Sequence, residues 1–142
     1  MKSPSSRKKV LFFGTFDPLH SGHRHVFACA KALGEHLTVV VARDSVVEQE
    51  KHHRSRTEEH GRLAHVAFDP SVDEAMLGDH NAASYALLRT LDFQILAVGY
   101  DQKPSDEAIY AVLQEQGLPH VSVVRMAPYR PETYKSSLIT SA

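Results

Sequence analysis

The chain has 142 residues, 42% hydrophobic and 23% charged, which suits one globular domain with a buried core. Its formal net charge of −1 supplies no global attraction to nucleic acid or to an anionic membrane surface. A single cysteine, Cys29, excludes an intramolecular disulfide framework and fits a reducing cytoplasm.

Residues 1–8, rich in Ser, Lys and Arg, read as a flexible N-terminal segment, and 9–142 as a single domain. The apolar run Val10, Leu11, Phe12, Phe13 predicts a strand over 9–13. A helix follows over 21–33, with Val26, Phe27, Ala30 and Leu33 at helical spacing and Gly34 as its stop. Residues 37–42 (Leu-Thr-Val-Val-Val-Ala) predict a strand buried on both faces, and the run is too short to span a bilayer. The pattern then predicts a helix over 57–67 capped by Thr57, a short strand over 74–77 and a helix over 82–90. A buried strand over 93–98 ends at Gly99, and a helix over 105–116 lies between its cap, Ser105, and Gly117. The last strand is expected over 121–124, and a final helix from Ser136. Apolar strands alternating with helices imply an α/β fold, a Rossmann-like, doubly wound, parallel five-stranded sheet. In such a sheet ligands bind beyond the carboxyl ends of the strands, where the strand order reverses.

Residues 14–23 read Gly-Thr-Phe-Asp-Pro-Leu-His-Ser-Gly-His, directly after the first strand. His20 and His23, three apart, fall on one face of the opening helical turn, and Gly22 leaves the backbone there open to a ligand. The free N–H groups and positive dipole end of that turn suit an anion, above all a phosphate. The ten histidines show no zinc framework with cysteines and no HExxH pattern, so no dedicated structural metal is expected. Asp17 is a candidate metal ligand and equally a turn-stabilising residue before Pro18. Otherwise a divalent ion, Mg²⁺ by preference for phosphate oxygens, arrives with a triphosphate.

This decapeptide resembles the HxGH signature of the nucleotidyltransferase superfamily, which includes cytidylyltransferases, phosphopantetheine adenylyltransferases and FAD synthases. The stretch Val41-Ala42-Arg43-Asp44 followed by Val47-Glu48 is similar to one in archaeal-type FAD synthases. Lys51 stands where that family has a mobile phosphate-binding lysine, with His52 in place of the family's usual glycine. Gly99-Tyr100-Asp101-Gln102 resembles the family's GYDQ, where glycerol-phosphate cytidylyltransferases have Gly-Asp-Asp-Trp. Residues 134–139 (Tyr-Lys-Ser-Ser-Leu-Ile) are similar to its C-terminal phosphate-binding signature, although this chain lacks the cysteines that archaeal FAD synthases carry nearby.

The resemblance implies a nucleotidyltransferase-type fold and transfer of AMP from ATP to FMN, with a CTP-dependent transfer to a small phosphorylated alcohol such as glycerol 3-phosphate as the alternative. A third reading is a non-catalytic nucleotide-binding module. By the same resemblance His20, His23 and Lys51 are catalytic. Gly14, Thr15, Phe16, Gly22, Arg62, Gly99, Tyr100, Asp101, Gln102, Ser136 and Ser137 bind the nucleotide. Asp17, Arg43 and Asp44 bind the acceptor, and the rigid, aromatic and basic loop 128–131, with Tyr129 and Arg130, reads as a lining of the acceptor pocket and equally as a structural turn. The implied assembly is a cytoplasmic homodimer with no nucleic-acid or membrane partner.

Overall fold

A computed structural model describes residues 8–17, 19, 21–52, 55–81, 85–100, 102 and 105–127, apart from the side chains of Ser21 and Lys51. Ten elements alternate along it: β1 (Lys9–Gly14), α1 (Ser21–Ala32), β2 (His36–Val41), α2 (Asp44–Lys51), α3 (Glu59–Ala67), β3 (Glu74–Leu77), α4 (Ala86–Thr90), β4 (Ile95–Val98), α5 (Asp106–Glu115) and β5 (Ser122–Arg125). The strands form one sheet in the order β3-β2-β1-β4-β5, and every pairing is parallel. The chain therefore winds outward from β1 to β3, then crosses back to lay β4 on the other side of β1. This is the doubly wound α/β arrangement that the apolar strands imply.

Period-two alternation divides the strand side chains between two cores. Val10 and Phe12 of β1 join Leu37, Val39 and Val41 of β2 on one face, where Phe27 and Ala30 of α1 and Val66 of α3 cover them. Leu11 and Val40 point to the other face, against Leu88 of α4 and Leu113 of α5. Both faces being covered explains why five of the six β2 residues are buried. Complete burial of Phe27 stabilises the fold by about 1.5–3 kcal/mol.

Three elements differ from the sequence-based expectation. Helix α2 was not expected, because Asp-Ser-Val-Val-Glu-Gln-Glu-Lys has only two adjacent apolar residues and no repeating stripe. The cap of α3 is Glu58, whose side chain accepts the His60 N–H, rather than Thr57. The helix expected over 82–90 is described only as the short α4. Residues 1–7 and the final helix expected from Ser136 lie outside the described residues. Among the described residues no helix is long and apolar enough to cross a membrane.

Candidate active site

The strand order reverses between β1 and β4, the position at which open α/β sheets take ligands in the crevice beyond the carboxyl ends of the strands. On the β1 side, Phe16 takes a left-handed backbone conformation, φ 58°, which a bulky residue adopts only under constraint. Its ring is buried against Phe12 and Phe27, with centroid separations of 5.9 and 5.2 Å. That ring lies directly over Gly14: a Cβ at position 14 would come within 2.4 Å of Phe16 Cζ. Glycine at 14 is therefore a requirement of the aromatic fold-back. The reversed chain enters α1, whose first turn carries the buried Gly22 and then His23. The His23 imidazole stands edge-on to Phe16, 5.1 Å between centroids at 83°. The same buried phenyl ring thus shapes the loop and seats the second histidine of the motif. His20 lies outside the described residues.

Beside this loop a buried guanidinium ties four segments together. Arg62 of α3 is fully buried, and its Nε donates to the Thr57 carbonyl at 2.9 Å. Its Nη1 donates to the carbonyls of Thr15 (3.0 Å) and Ala42 (2.7 Å), and its Nη2 to Asp44 Oδ1 (2.6 Å). Arg62, expected at the nucleotide, uses these donors to hold the ends of β1 and β2 in place. Asp44 opens α2, accepting also from Ser55 Oγ (2.9 Å) and from the Glu59 N–H (3.2 Å). Burial alone raises the Asp44 carboxyl, but these hydrogen bonds and the Arg62 charge outweigh it and hold the group below its ordinary range.

The other residues expected on this side are also knitted into the frame. Asp17 spends Oδ2 on the Arg56 N–H (2.5 Å) and Oδ1 on the Thr57 N–H (2.9 Å). It is a tether between the β1 loop and the entry to α3, as its turn-stabilising reading allowed. Arg43 donates through Nε to the Gly78 carbonyl at 2.7 Å and pairs with Glu59 at 3.5 Å, joining the ends of β2 and β3. A cavity of about 330 Å³ lies alongside, lined by Asp44, Glu48, Ser55, Arg56 and Glu58. The one described group with metal-ligand spacing is Glu58, Glu59 and His60. Glu58 bonds His60 within it, and Glu59 bonds the Asp44 N–H and Arg43.

Lys51 is the last residue of α2, and its backbone alone is described. His52 closes that helix at φ 60°, ψ 25°, its N–H donating to the Glu48 carbonyl at 2.9 Å. The histidine thus takes the left-handed conformation that glycine adopts without cost. Exchange of His52 for glycine is expected to stabilise the fold by about 0.5–1 kcal/mol, the steric relief less the added unfolded-chain entropy. A urea midpoint that fails to rise would show that the exposed imidazole makes compensating contacts.

Across the crevice, Gly99 leads into the turn with Tyr100, half exposed, and Gln102. The Gln102 side chain bonds the Gly99 N–H and the Phe13 carbonyl, so the turn rests on the end of β1. Arg125, at the end of β5, donates to three carbonyls of the same turn. Sequence reasoning missed Arg125, although a single arginine ending an apolar strand at the ligand edge was a readable signal. Asp101, Tyr129, Arg130, Ser136 and Ser137 lie outside the described residues.

Comparison with known proteins agrees with this architecture. The cytidylyltransferase-like family model matches residues 11–142. A protein of Methanosarcina mazei called FAD synthase is 40% identical over 118 residues, covering 83% of this chain and 76% of its own. One of the same name from Thermococcus sibiricus is 33% identical over 130 residues, covering 92% and 84%. The crystal structure of a lipopolysaccharide core biosynthesis protein from Thermoplasma volcanium superposes with a TM-score of 0.80 at 32% identity, covering 87% of this chain and 99% of that one. The chain belongs to the cytidylyltransferase-like family of nucleotidyltransferases.

Proposed function

We propose that the chain is an FMN adenylyltransferase, joining FMN and ATP to give FAD and pyrophosphate. An oxygen of the FMN phosphate attacks the α-phosphorus of ATP. The bond from that phosphorus to the oxygen bridging it to the β-phosphorus breaks, and pyrophosphate leaves with the electron pair. The carrying observation is that the first turn of α1, with Gly22 and His23, and the turn led by Gly99 follow the two adjacent strands between which the sheet order reverses, β1 and β4. The similarity to proteins called FAD synthase, extending over most of the chain, selects ATP and FMN as the substrates.

In this reading the protein aligns the two phosphates and neutralises charge. His20 and His23 donate to the triphosphate as negative charge builds on the leaving group. The N–H groups of the glycine turn and the first turn of α1 hold phosphate oxygens, and Lys51 reaches the same phosphates. Arg62, Asp17, Arg43 and Asp44 position these groups, with Asp44 and Arg43 bordering the acceptor side together with Tyr129 and Arg130. Ser136 and Ser137 bind the outer phosphates. Nucleotidyltransferases of this kind generally use a divalent cation. Mg²⁺ is assigned here as the ion carried by the triphosphate, since that ion prefers phosphate and carboxylate oxygens. The reading includes a cytoplasmic homodimer without nucleic-acid or membrane partners, supported by the near-neutral charge and by the resemblance.

The test is direct. Purified protein given ATP, Mg²⁺ and FMN is expected to release pyrophosphate and form FAD, separable by chromatography with flavin fluorescence. Turnover of CTP with glycerol 3-phosphate, and none of FMN, would overturn the assignment.

A further inference from the structure

The cavity of about 330 Å³ has walls from α2 and from the segment entering α3, and its lining residues Asp44, Glu48, Ser55, Arg56 and Glu58 are all polar. Its volume stands at the lower end of small-ligand sites, which span about 300–1,000 Å³. Two bonded links join it to the loop after β1. The Arg56 N–H donates to Asp17, and the Arg62 guanidinium spans from Asp44 Oδ1 (2.6 Å) to the Thr15 carbonyl (3.0 Å). The cavity therefore adjoins the loop that leads into α1.

The lining residues differ in what they have left to offer a ligand. Asp44 is engaged by Arg62, Ser55 and the Glu59 N–H, and Glu58 by His60. Arg56 is bonded through its backbone N–H alone. Among the described residues neither the Arg56 guanidinium nor the Glu48 carboxylate has a hydrogen-bond or ion-pair partner, and both residues are exposed. A strong acceptor and a multiple donor thus line one space.

That combination narrows the ligand chemistry. A bare cation would meet Arg56, and a bare anion would meet Glu48 and Glu58, each a like-charge approach. An aromatic ring system would find no apolar wall. A hydroxyl donates to a carboxylate and accepts from a guanidinium, so a neutral chain of hydroxyls satisfies both. Hydrogen bonds to ionised partners are also the stronger kind.

We propose that this cavity binds the polyhydroxylated arm of the phosphorylated acceptor, and that Glu48 and Arg56 select that arm by its hydroxyls. This rests on the transferase reading above, in which the phosphate at the end of the arm reaches the loop and first turn of α1.

Fluorescence titration of FMN, and of a flavin phosphate whose alkyl arm lacks the hydroxyls, tests it on wild type, Glu48→Ala and Arg56→Met. Wild type is expected to bind FMN about tenfold more tightly than the hydroxyl-free analogue. Each variant should weaken FMN binding about tenfold and move the analogue less than about twofold. Thermal melting monitors folding, and if either variant does not fold, Glu48→Gln and Arg56→Lys decide. Equal wild-type affinity for the two flavins overturns the proposal. So do folded variants that keep wild-type FMN affinity, or that lose both flavins equally. A wild type that turns over CTP with glycerol 3-phosphate and does not bind FMN overturns the FMN assignment instead. The cavity is then judged on the same variants by calorimetry, with glycerol 3-phosphate against propyl phosphate.

Discussion

Exchange of His23 for asparagine is expected to lower kcat for pyrophosphate release by about 10²–10³-fold, the usual loss when one preorganised donor to developing charge is removed. His23 occupies the first turn of α1, where backbone N–H groups and the helix dipole already favour an anion. Its ring is seated edge-on against the buried Phe16, so little rotational freedom is lost when it donates. Asparagine retains a donor on a shorter stem, cannot carry a positive charge, and leaves α1 free of a cavity-forming truncation. The KM for ATP should move far less than kcat, because the interaction strengthens as charge passes to the leaving pyrophosphate. His20→Asn is expected to behave alike. A kcat within about threefold of wild type, with an unchanged melting midpoint, would reduce His23 to a packing partner of Phe16.

Arg62→Met should cost about 3 kcal/mol of folding stability, read from urea denaturation. Methionine approximates the volume of the fully buried side chain but donates nothing. The carbonyls of Thr15, Ala42 and Thr57 would lose their guanidinium donors together. The Asp44 carboxylate is 35% exposed and can recover water, which keeps the loss below that of a wholly buried pair. Activity should fall with stability, because Thr15 belongs to the glycine turn and Ala42 to the end of β2. The pH dependence separates this role from simple packing. Burial alone raises the Asp44 carboxyl, and its hydrogen bonds with the Arg62 charge bring it below the ordinary value of 3.8. A carboxyl lowered in the folded state stabilises fully above that ordinary value and loses its contribution as pH falls below it. Wild-type stability should therefore decline on acidification below about pH 5, and Arg62→Met should decline less steeply. Equal slopes would remove the ion pair from the account.

Much of the scaffold could be read from local patterns. The strands at Val10, Val39 and Leu96 announce themselves as apolar runs because a parallel sheet is buried on both faces. The cap at Ser105 was legible because it is a bond across three residues. Helix α2 was not, since its stability comes from Asp44 meeting Ser55, Glu59 and Arg62, all further along the chain.

The functional residues divide along the same line. By itself the sequence determined the strand that runs into residues 14–23 and the helix that leads out of them, because each is written in a local apolar pattern. Only the tertiary structure decided what Arg62, Asp17, Gln102 and Arg125 do. By resemblance Arg62 reads as a nucleotide contact, yet it is completely buried on carbonyls of Thr15 and Ala42. Gln102 reads as a nucleotide contact, yet it bonds Phe13, 89 residues away. The physical reason is that strand ends expose backbone carbonyls and N–H groups whose partners must come from whatever the sheet order brings alongside. That order, β3-β2-β1-β4-β5, is a property of the whole chain and is written in no single segment of it.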